Sequence, residues 1–196
     1  FLSVKPNKVE EVADQLKNIL SSQLIISFVA GLKFNNLKSF LGGYEYILRA
    51  MPTLGIGSGS SPIAFYTEMN INDNNALDIL EKLGSCLKIE EDKFDAFTSI
   101  FGAGPAFISH LSNTLAKIAK EHGFEEPEPW IREILDGTSH IHKSDEKNSF
   151  ENIVDMVASK GGVTEAALNK INEKGIEDIW NQAINDAIIK SKALGD

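Results

Sequence analysis

The chain is short of cysteine and of basic residues, and it has no long hydrophobic run. Its one cysteine, Cys86, cannot form an internal disulfide, which fits a reducing cytoplasm. Acidic residues outnumber basic ones by 28 to 19, and the formal net charge of −9 argues against nucleic acid or an anionic membrane as a partner. No apolar run approaches the roughly 20 residues that span a bilayer. These features predict a cytoplasmic protein with neither a nucleic-acid nor a membrane partner.

Residue patterns for metal binding and for hydrolysis are also missing. His140 and His142 are two positions apart, which puts them on different sides of a helix, and His110 and His122 belong to another segment. No Gly-x-Ser-x-Gly motif is present to supply a hydrolytic serine. We therefore expect no metal site and no hydrolytic nucleophile.

The first half of the chain alternates strand and helix patterns. Apolar runs at residues 1–4 and 24–29 flank a helical pattern, and a further run follows at 46–50. Strand, helix, strand predicts a parallel sheet, in which ligands bind beyond the carboxyl ends of the strands. From about residue 102 onward the periodicity is helical with hardly any strand signal. The predicted fold class is therefore α/β at 1–101 followed by an all-α domain at 102–196.

Two glycine-containing loops precede predicted helices, at residues 102–105 and 161–164. Helix N-termini offer N–H donors and partial positive charge, which suit a small carboxylate. A tight turn into a core helix would use the same residues, and each loop alone stays open to that interpretation. The helix at 106–120 carries a wide apolar stripe and is expected to be buried on most sides. Together with the helix at 176–194 it has more apolar surface than one helical layer covers, which predicts a homodimer.

Five motifs in one order resemble the pyrroline-5-carboxylate reductase family. They are LSVKP at 2–6, ISFVAG at 26–31, RAMP at 49–52, FGAGPAF at 101–107 and SKGGVT at 159–164. The resemblance spans essentially the whole chain. It implies a Rossmann-type NAD(P)-binding domain and a helical dimerisation and substrate-binding domain. The implied reaction is hydride transfer from NADPH or NADH to the imine of 1-pyrroline-5-carboxylate, which gives L-proline.

The resemblance also implies roles for particular residues. Those expected to border the cofactor are Val4, Lys5, Pro6, Ala30, Gly31, Met51, Pro52 and Thr53. Those expected to hold the substrate carboxylate are Gly102, Ala103, Gly104, Pro105, Gly161, Gly162, Val163 and Thr164. The two substrate loops can come from different subunits. Glu91 stands where the family has an acidic residue near the substrate, so Glu91 and Thr164 are the catalytic candidates, although no catalytic residue is assigned.

Departures from the family pattern keep other functions open. Thr53 replaces the family's asparagine, while Phe101 and Ala103 replace two serines. A non-catalytic or altered-substrate paralogue would fit these changes, and a β-hydroxyacid-type dehydrogenase shares the same two-part plan. The strand and G-x-G-x-x-G loop that open such a domain do not occur before Phe1. We therefore expect these 196 residues alone to bind cofactor poorly and to be inactive. The preference for NADPH or NADH and any assembly beyond the dimer stay open.

Overall fold

The computed structural model describes residues 1–70, 75–144 and 149–194. The strands are β1 (Ile25–Ser27), β2 (Ile47–Met51), β3 (Ser61–Tyr66) and β4 (Gly84–Lys88). The helices before the long helical stretch are α1 (Val9–Leu16), α2 (Phe34–Phe40), α3 (Ala76–Glu81) and α4 (Phe94–Phe97). Those that follow are α5 (Gly104–Glu121), α6 (Glu128–Ser144), α7 (Phe150–Val157), α8 (Val163–Glu173) and α9 (Ile176–Lys192). Short 3₁₀ segments lie at Pro6–Lys8, Leu54–Ser58 and Glu91–Lys93.

The described chain divides into two compact units. One contains Phe1–Ala106 and the chain from Ala183 onward, and the other is Phe107–Gln182. The contact between Ser191 near the end of α9 and Asp95 of α4 belongs to the first unit, with 2.6 Å between their side-chain oxygens. The division of roles at residue 102 stays a prediction, because contacts group residues by packing and not by function.

The sheet has the order β1-β2-β3-β4 and confirms an α/β part followed by helices. β1 pairs with β2 in parallel, β3 pairs with β4 in parallel, and Leu2 bridges in parallel to Ser27. β2 and β3 are antiparallel, so the sheet is mixed where the sequence predicted a parallel one. The connection at 52–60 explains the difference, since a parallel crossover needs a dozen or more residues.

Alternation along β2 separates two cores on opposite faces of the sheet. Ile47 packs with α1 and α2, and Met51 packs with Phe94 and Phe97 of α4 on the same face. On the opposite face lie Leu48 and Ala50, in a cluster that also contains Ile26, Ile63, Phe65, Ala76 and Leu80. Helices therefore cover both faces, as an α/β sheet requires.

The helical unit leaves much apolar surface exposed. On α5, Ala116 is buried, but Ile108, Leu111, Leu115 and Ile118 are between 43% and 54% exposed. The expectation that this helix is buried on most sides is therefore wrong for a single chain. The physical reason is that the helices of one unit cover part of its apolar stripe and no more. Among the described residues, no helix is both long enough and apolar enough to cross a bilayer.

We predict that Leu80→Ala lowers the free energy of unfolding by about 2–5 kcal/mol, because the side chain is fully buried and its loss leaves a cavity. Denaturant unfolding followed by circular dichroism, at one fixed protein concentration, measures this change. Leu54→Ala is the matched control, since the same side chain is 85% exposed there and its loss should cost less than about 0.5 kcal/mol. Equal effects of the two variants would contradict the assigned core.

Candidate functional site

The segment at Leu2, β1 and β2 have their carboxyl ends at the same edge of the sheet. Leu2 donates its N–H to the Ile26 carbonyl at 2.8 Å and accepts from the Phe28 N–H at 2.9 Å. It therefore runs parallel to β1, which in turn is parallel to β2. The predicted cofactor residues lie at or just after the ends of these three segments: Val4, Lys5, Pro6, Ala30, Gly31, Met51, Pro52 and Thr53. They share one edge because parallel strands end together.

Two members of this set, Ala30 and Met51, meet at the end of β1 and β2. Ala30 packs against the cluster that contains Met51, which is 8% exposed. Gly31 follows with φ of 74°, a left-handed conformation that favours glycine. Lys5 and Pro6 line a separate cleft of about 510 Å³, whose other lining residues are Asn7, Leu32, Asn36, Phe40, Ala193 and Leu194. The structure thus puts the predicted residues on one edge but not in one cleft.

Thr53 uses its polar groups inside the protein. Its N–H donates to Ser61 Oγ at 2.8 Å, and the two hydroxyl oxygens lie 3.2 Å apart. Thr53 Oγ1 also accepts from the Gly55 N–H at 3.3 Å, where it caps the Leu54–Ser58 turn. These contacts give Thr53 a structural role in closing the β2–β3 connection.

A cleft of about 690 Å³ joins Gly31 with Glu91, the predicted catalytic candidate. Arg49 and Tyr66 also line it, on the sheet face that α4 covers. The remaining lining residues are Lys33, Glu90, Asp92, Lys93, Phe94 and Asp95. A residue predicted for the cofactor and one predicted for catalysis therefore share a cavity large enough for a small molecule.

The carboxylate of Glu91 makes two contacts through one oxygen. Glu91 Oε1 accepts from the Phe34 N–H at 2.5 Å and forms an ion pair with an Arg49 guanidinium nitrogen. The Arg49 side chain is 5% exposed, and its guanidinium carbon lies 4.4 Å from the centre of the Phe94 ring. Sequence reasoning missed Arg49, although an arginine within an apolar strand was a visible signal.

The segment around Gly102 is helical where the sequence predicted a loop. Thr98–Gly102 forms a wide π-type turn, and the Ala103 N–H donates to the Thr98 carbonyl at 3.0 Å. α5 begins at Gly104, so Pro105 lies in its first turn, where a missing N–H costs no helical hydrogen bond. The N–H of Ala103 is therefore engaged within the chain.

The second glycine segment forms a turn at the start of α8. Gly161 has φ of 73°, and its N–H donates to Glu165 Oε2 at 2.7 Å. The Gly162 N–H donates to the Ser159 carbonyl at 2.9 Å, and Gly162 caps the helix without a side-chain hydrogen bond. The first residues of α8 are Val163, which is 89% exposed, and Thr164. Their first-turn N–H groups are of the kind that a helix leaves without an intrahelical partner.

The predicted substrate loops belong to different units of the described chain. Residues 102–105 lie in the first unit and residues 161–164 in the second. The assignment of either loop to a substrate stays a prediction. Within residues 1–70, 75–144 and 149–194, no group of three or more His, Cys, Asp or Glu side chains has the geometry of a metal site.

Tyr66 faces the same cleft and is held in its neutral form. Partial burial raises the pKa of its hydroxyl above the usual range, and the carboxylates of Glu68, Glu91 and Glu90 raise that pKa further. Its ring also meets the Phe34 ring edge-on, with the centroids 5.5 Å apart. The carboxylates of Glu90 and Glu91, which line the cleft, thus disfavour ionisation of this phenol.

Comparison with known proteins gives a consistent family match. A family model described as pyrroline-5-carboxylate reductase dimerisation matches residues 91–194. A pyrroline-5-carboxylate reductase from Aquifex aeolicus is 32% identical over 200 residues, which cover 99% of this chain and 74% of that protein.

Solved structures of the same family superpose on nearly the whole chain. The crystal structure of Plasmodium falciparum pyrroline carboxylate reductase with NADP bound has a TM-score of 0.86 at 25% identity and covers 98% of this chain and 80% of its own. The 1-pyrroline-5-carboxylate reductase from Streptococcus pyogenes has a TM-score of 0.81 at 29% identity and covers 97% of this chain and 74% of its own.

Glu91→Leu should lower the free energy of unfolding by about 3 kcal/mol, because it leaves the Arg49 charge buried without its partner. The double variant Arg49→Met/Glu91→Leu should recover most of this loss, since both charges are then gone. Glu90→Leu is the matched control at an exposed neighbour and should change the free energy by less than about 0.5 kcal/mol. If the double variant lost as much free energy of unfolding as Arg49→Met and Glu91→Leu lose together, this result would contradict the ion pair.

Tyr66 should make the folded state less stable at alkaline pH. The raised pKa means that the folded chain holds the phenol proton more tightly than the unfolded chain does. This contribution is fully present below about pH 10, the usual tyrosine pKa, and is lost as the pH rises through the raised value. Denaturant unfolding across this range should therefore show a steeper fall for the wild type than for Tyr66→Phe. Identical slopes would contradict the assignment.

Proposed function

Because this chain belongs to the pyrroline-5-carboxylate reductase family, we propose that it takes part in the reduction of 1-pyrroline-5-carboxylate to L-proline. The supporting observation is that Gly31 and Glu91 line one cleft on the sheet face covered by α4. When a reduced nicotinamide cofactor, NADPH or NADH, is bound, it supplies the hydride that adds to the imine carbon. The single cysteine supports a cytoplasmic location for this reaction.

The end of β1 and β2 suits the nicotinamide half of such a cofactor. Ala30 and Met51 give an apolar surface, and Gly31 allows a close approach of the backbone. The NADP bound to the Plasmodium falciparum reductase supports a nicotinamide cofactor for this chain as well. Val4, Lys5, Pro6, Pro52 and Thr53 would border it along the same edge.

The substrate carboxylate requires N–H donors that the chain does not already use. The N–H groups of Ala103, Gly161 and Gly162 donate within the chain. The first turn of α8 therefore offers the better donors, at Val163 and Thr164, and the partial positive charge of the helix N-terminus favours an anion. Gly102, Gly104 and Pro105 would contribute surface with little side-chain bulk.

Glu91 would act on the charge of the reacting imine. A protonated imine accepts hydride more readily, and a carboxylate in the cleft stabilises that positive charge. Both internal contacts of Glu91 use Oε1, so its second oxygen takes part in neither of them. Thr164 would add a hydroxyl near the carboxylate of the substrate.

An altered imine substrate is the second candidate function. Phe101 and Ala103 stand where the family has serines, and Phe101 packs on Phe97 with ring centroids 4.9 Å apart. The apolar ring therefore replaces a hydroxyl that would interact with a polar substrate. A bulkier or less polar cyclic imine would fit this change.

The direct test is an assay of the full-length protein with pyrroline-5-carboxylate and either cofactor. We expect cofactor oxidation matched mole for mole by proline formation. Oxidation with another cyclic imine alone would support the altered-substrate function. Folded, dimeric protein that oxidises neither cofactor with any imine would contradict both functions. We propose that the 196 residues alone are inactive in the same assay.

Gly162→Ala should raise the KM for the imine substrate by about tenfold, with little effect on the KM for the cofactor. An added Cβ would lie 2.6 Å from Ser159 Oγ and 2.8 Å from the Ser159 carbonyl oxygen, so the start of α8 must shift. Gly57→Ala is the control, because a Cβ there meets nothing within 4 Å. Steady-state kinetics of both variants measures the effect, and equal substrate KM values would contradict a substrate role for α8.

A homodimer should form through the exposed apolar face of the helical unit. Leu111, at 54% exposure, lies on that face, and the family model that covers it is a dimerisation model. Leu111→Glu should shift the protein toward monomer in sedimentation velocity, because a charge would enter an apolar interface. Leu54→Glu in the other unit should stay dimeric. A wild-type protein that sediments as a monomer would contradict the proposal.

A further inference from the structure

Arg49 occupies a position where an apolar residue would be expected. It lies in β2, between β1 and β3, and all residues of that strand are buried. Its neighbours on the same face are Ile47 and Met51. A buried ion pair often stabilises a fold no more than well-packed apolar side chains of similar volume. Stability alone therefore does not account for an arginine here.

The contacts of Arg49 reach the segment that leads toward the predicted substrate loop. Its guanidinium pairs with Glu91, which opens the Glu91–Lys93 turn, and lies 4.4 Å from the ring centre of Phe94. Phe94 starts α4, and the chain continues as helical turns to Gly104. Arg49 thus fixes the start of this segment on the sheet by both a charge contact and a ring contact.

The same carboxylate oxygen reaches the turn on the other side of the cleft. Glu91 Oε1 accepts from the Phe34 N–H at 2.5 Å, at the first residue of α2. The preceding residue, Lys33, makes no side-chain cap hydrogen bond, so Glu91 caps α2 from 57 positions along the chain. The left-handed residue Gly31 lies three positions before Phe34.

We propose that Arg49 is a positioning residue, which acts through Glu91 to hold the Gly31 turn at a fixed place relative to the segment Phe94–Gly102. This inference rests on the proposed function, in which the nicotinamide would lie against Gly31 and the imine near Glu91. Hydride transfer depends steeply on the separation and alignment of the two reacting carbons. Loss of the arginine charge should therefore lower kcat more than it changes either KM.

Kinetics of the full-length enzyme separates positioning from simple support of the fold. We expect Arg49→Met to lower kcat by about tenfold or more and to change each KM by less than about threefold. Arg49→Lys keeps the charge and should recover part of kcat. Leu80→Ala is the control, because it creates a cavity on the opposite sheet face and should lower the melting temperature while retaining kcat. With cofactor deuterated at the nicotinamide C4, Arg49→Met should show a larger isotope effect than the wild type.

Hydrogen exchange provides a readout that does not depend on activity. In Arg49→Met the Phe34 amide should exchange about tenfold faster or more relative to the amides of β3, since a freed Glu91 side chain no longer holds it. In Leu80→Ala the exchange rates of the Phe34 amide and of the β3 amides should rise by similar factors. If Arg49→Met does not fold, Arg49→Lys carries both measurements, with smaller changes in the same direction.

The outcomes separate the inference from the function on which it rests. Unchanged relative exchange at Phe34 overturns the positioning role whatever the activity. A kcat in Arg49→Met that matches that of Leu80→Ala overturns it as well. A wild-type enzyme without imine reductase activity overturns the proposed function instead, and exchange at Phe34 then decides whether Arg49 holds the turn.

Discussion

The positive charge of Arg49 is buried in the middle of the sheet, and the arrangement around the cleft depends on its neutralisation. Glu91 must reach β2 to pair with it, so the chain that leaves β4 has to cross the sheet face toward α2. The same oxygen, Glu91 Oε1, also accepts a hydrogen bond from the Phe34 N–H. One carboxylate therefore ties together a central strand, the start of α2 and the approach to α4. The cleft lies beside this contact and is also lined by Tyr66 of β3.

The two units solve the burial of apolar surface in different ways. The first unit covers both faces of its sheet with its own helices, and its largest buried side chains include Phe34, Leu37 and Leu48. In the helical unit, large apolar side chains stay exposed along α5 and α6, including Leu111 and Trp130. The hydrophobic effect favours burial of this surface by a second chain. Assembly would then complete a core that one chain leaves open.

Local patterns indicated β1, β2 and their common edge, but the apolar run at 1–4 forms only an isolated bridge at Leu2 and not the predicted strand. Apolar runs predicted strands at 24–29 and 46–50, and the structure has β1 at Ile25–Ser27 and β2 at Ile47–Met51, with Gly31 and Met51 near their carboxyl ends. The direction of strand pairing was harder to predict, because the direction of β3 depends on the compact Leu54–Ser58 turn and not on the spacing of apolar residues. Glycine and proline at 102–105 suggested a loop, yet both residues fit the first turn of a helix.

The ion pair could not be predicted because its members are 42 positions apart. Three consecutive carboxylates, at residues 90–92, suit the start of a helix on local grounds alone, because they complement the positive end of the helix dipole. An arginine in an apolar strand showed that a partner was needed, but many carboxylates in an acidic chain could have served. Long-range packing of β4, α2 and α4 selects Glu91. The exposure of α5 could likewise not be predicted, since the sequence pattern of an apolar stripe is the same whether its own chain or another chain covers it.

A crystal structure of the full-length protein with oxidised cofactor and L-proline would test the central claim most directly. We expect the nicotinamide ring against Ala30 and Gly31 and the proline ring in the cleft beside Glu91. A nicotinamide bound away from this edge, or a proline ring bound outside this cleft, would contradict it.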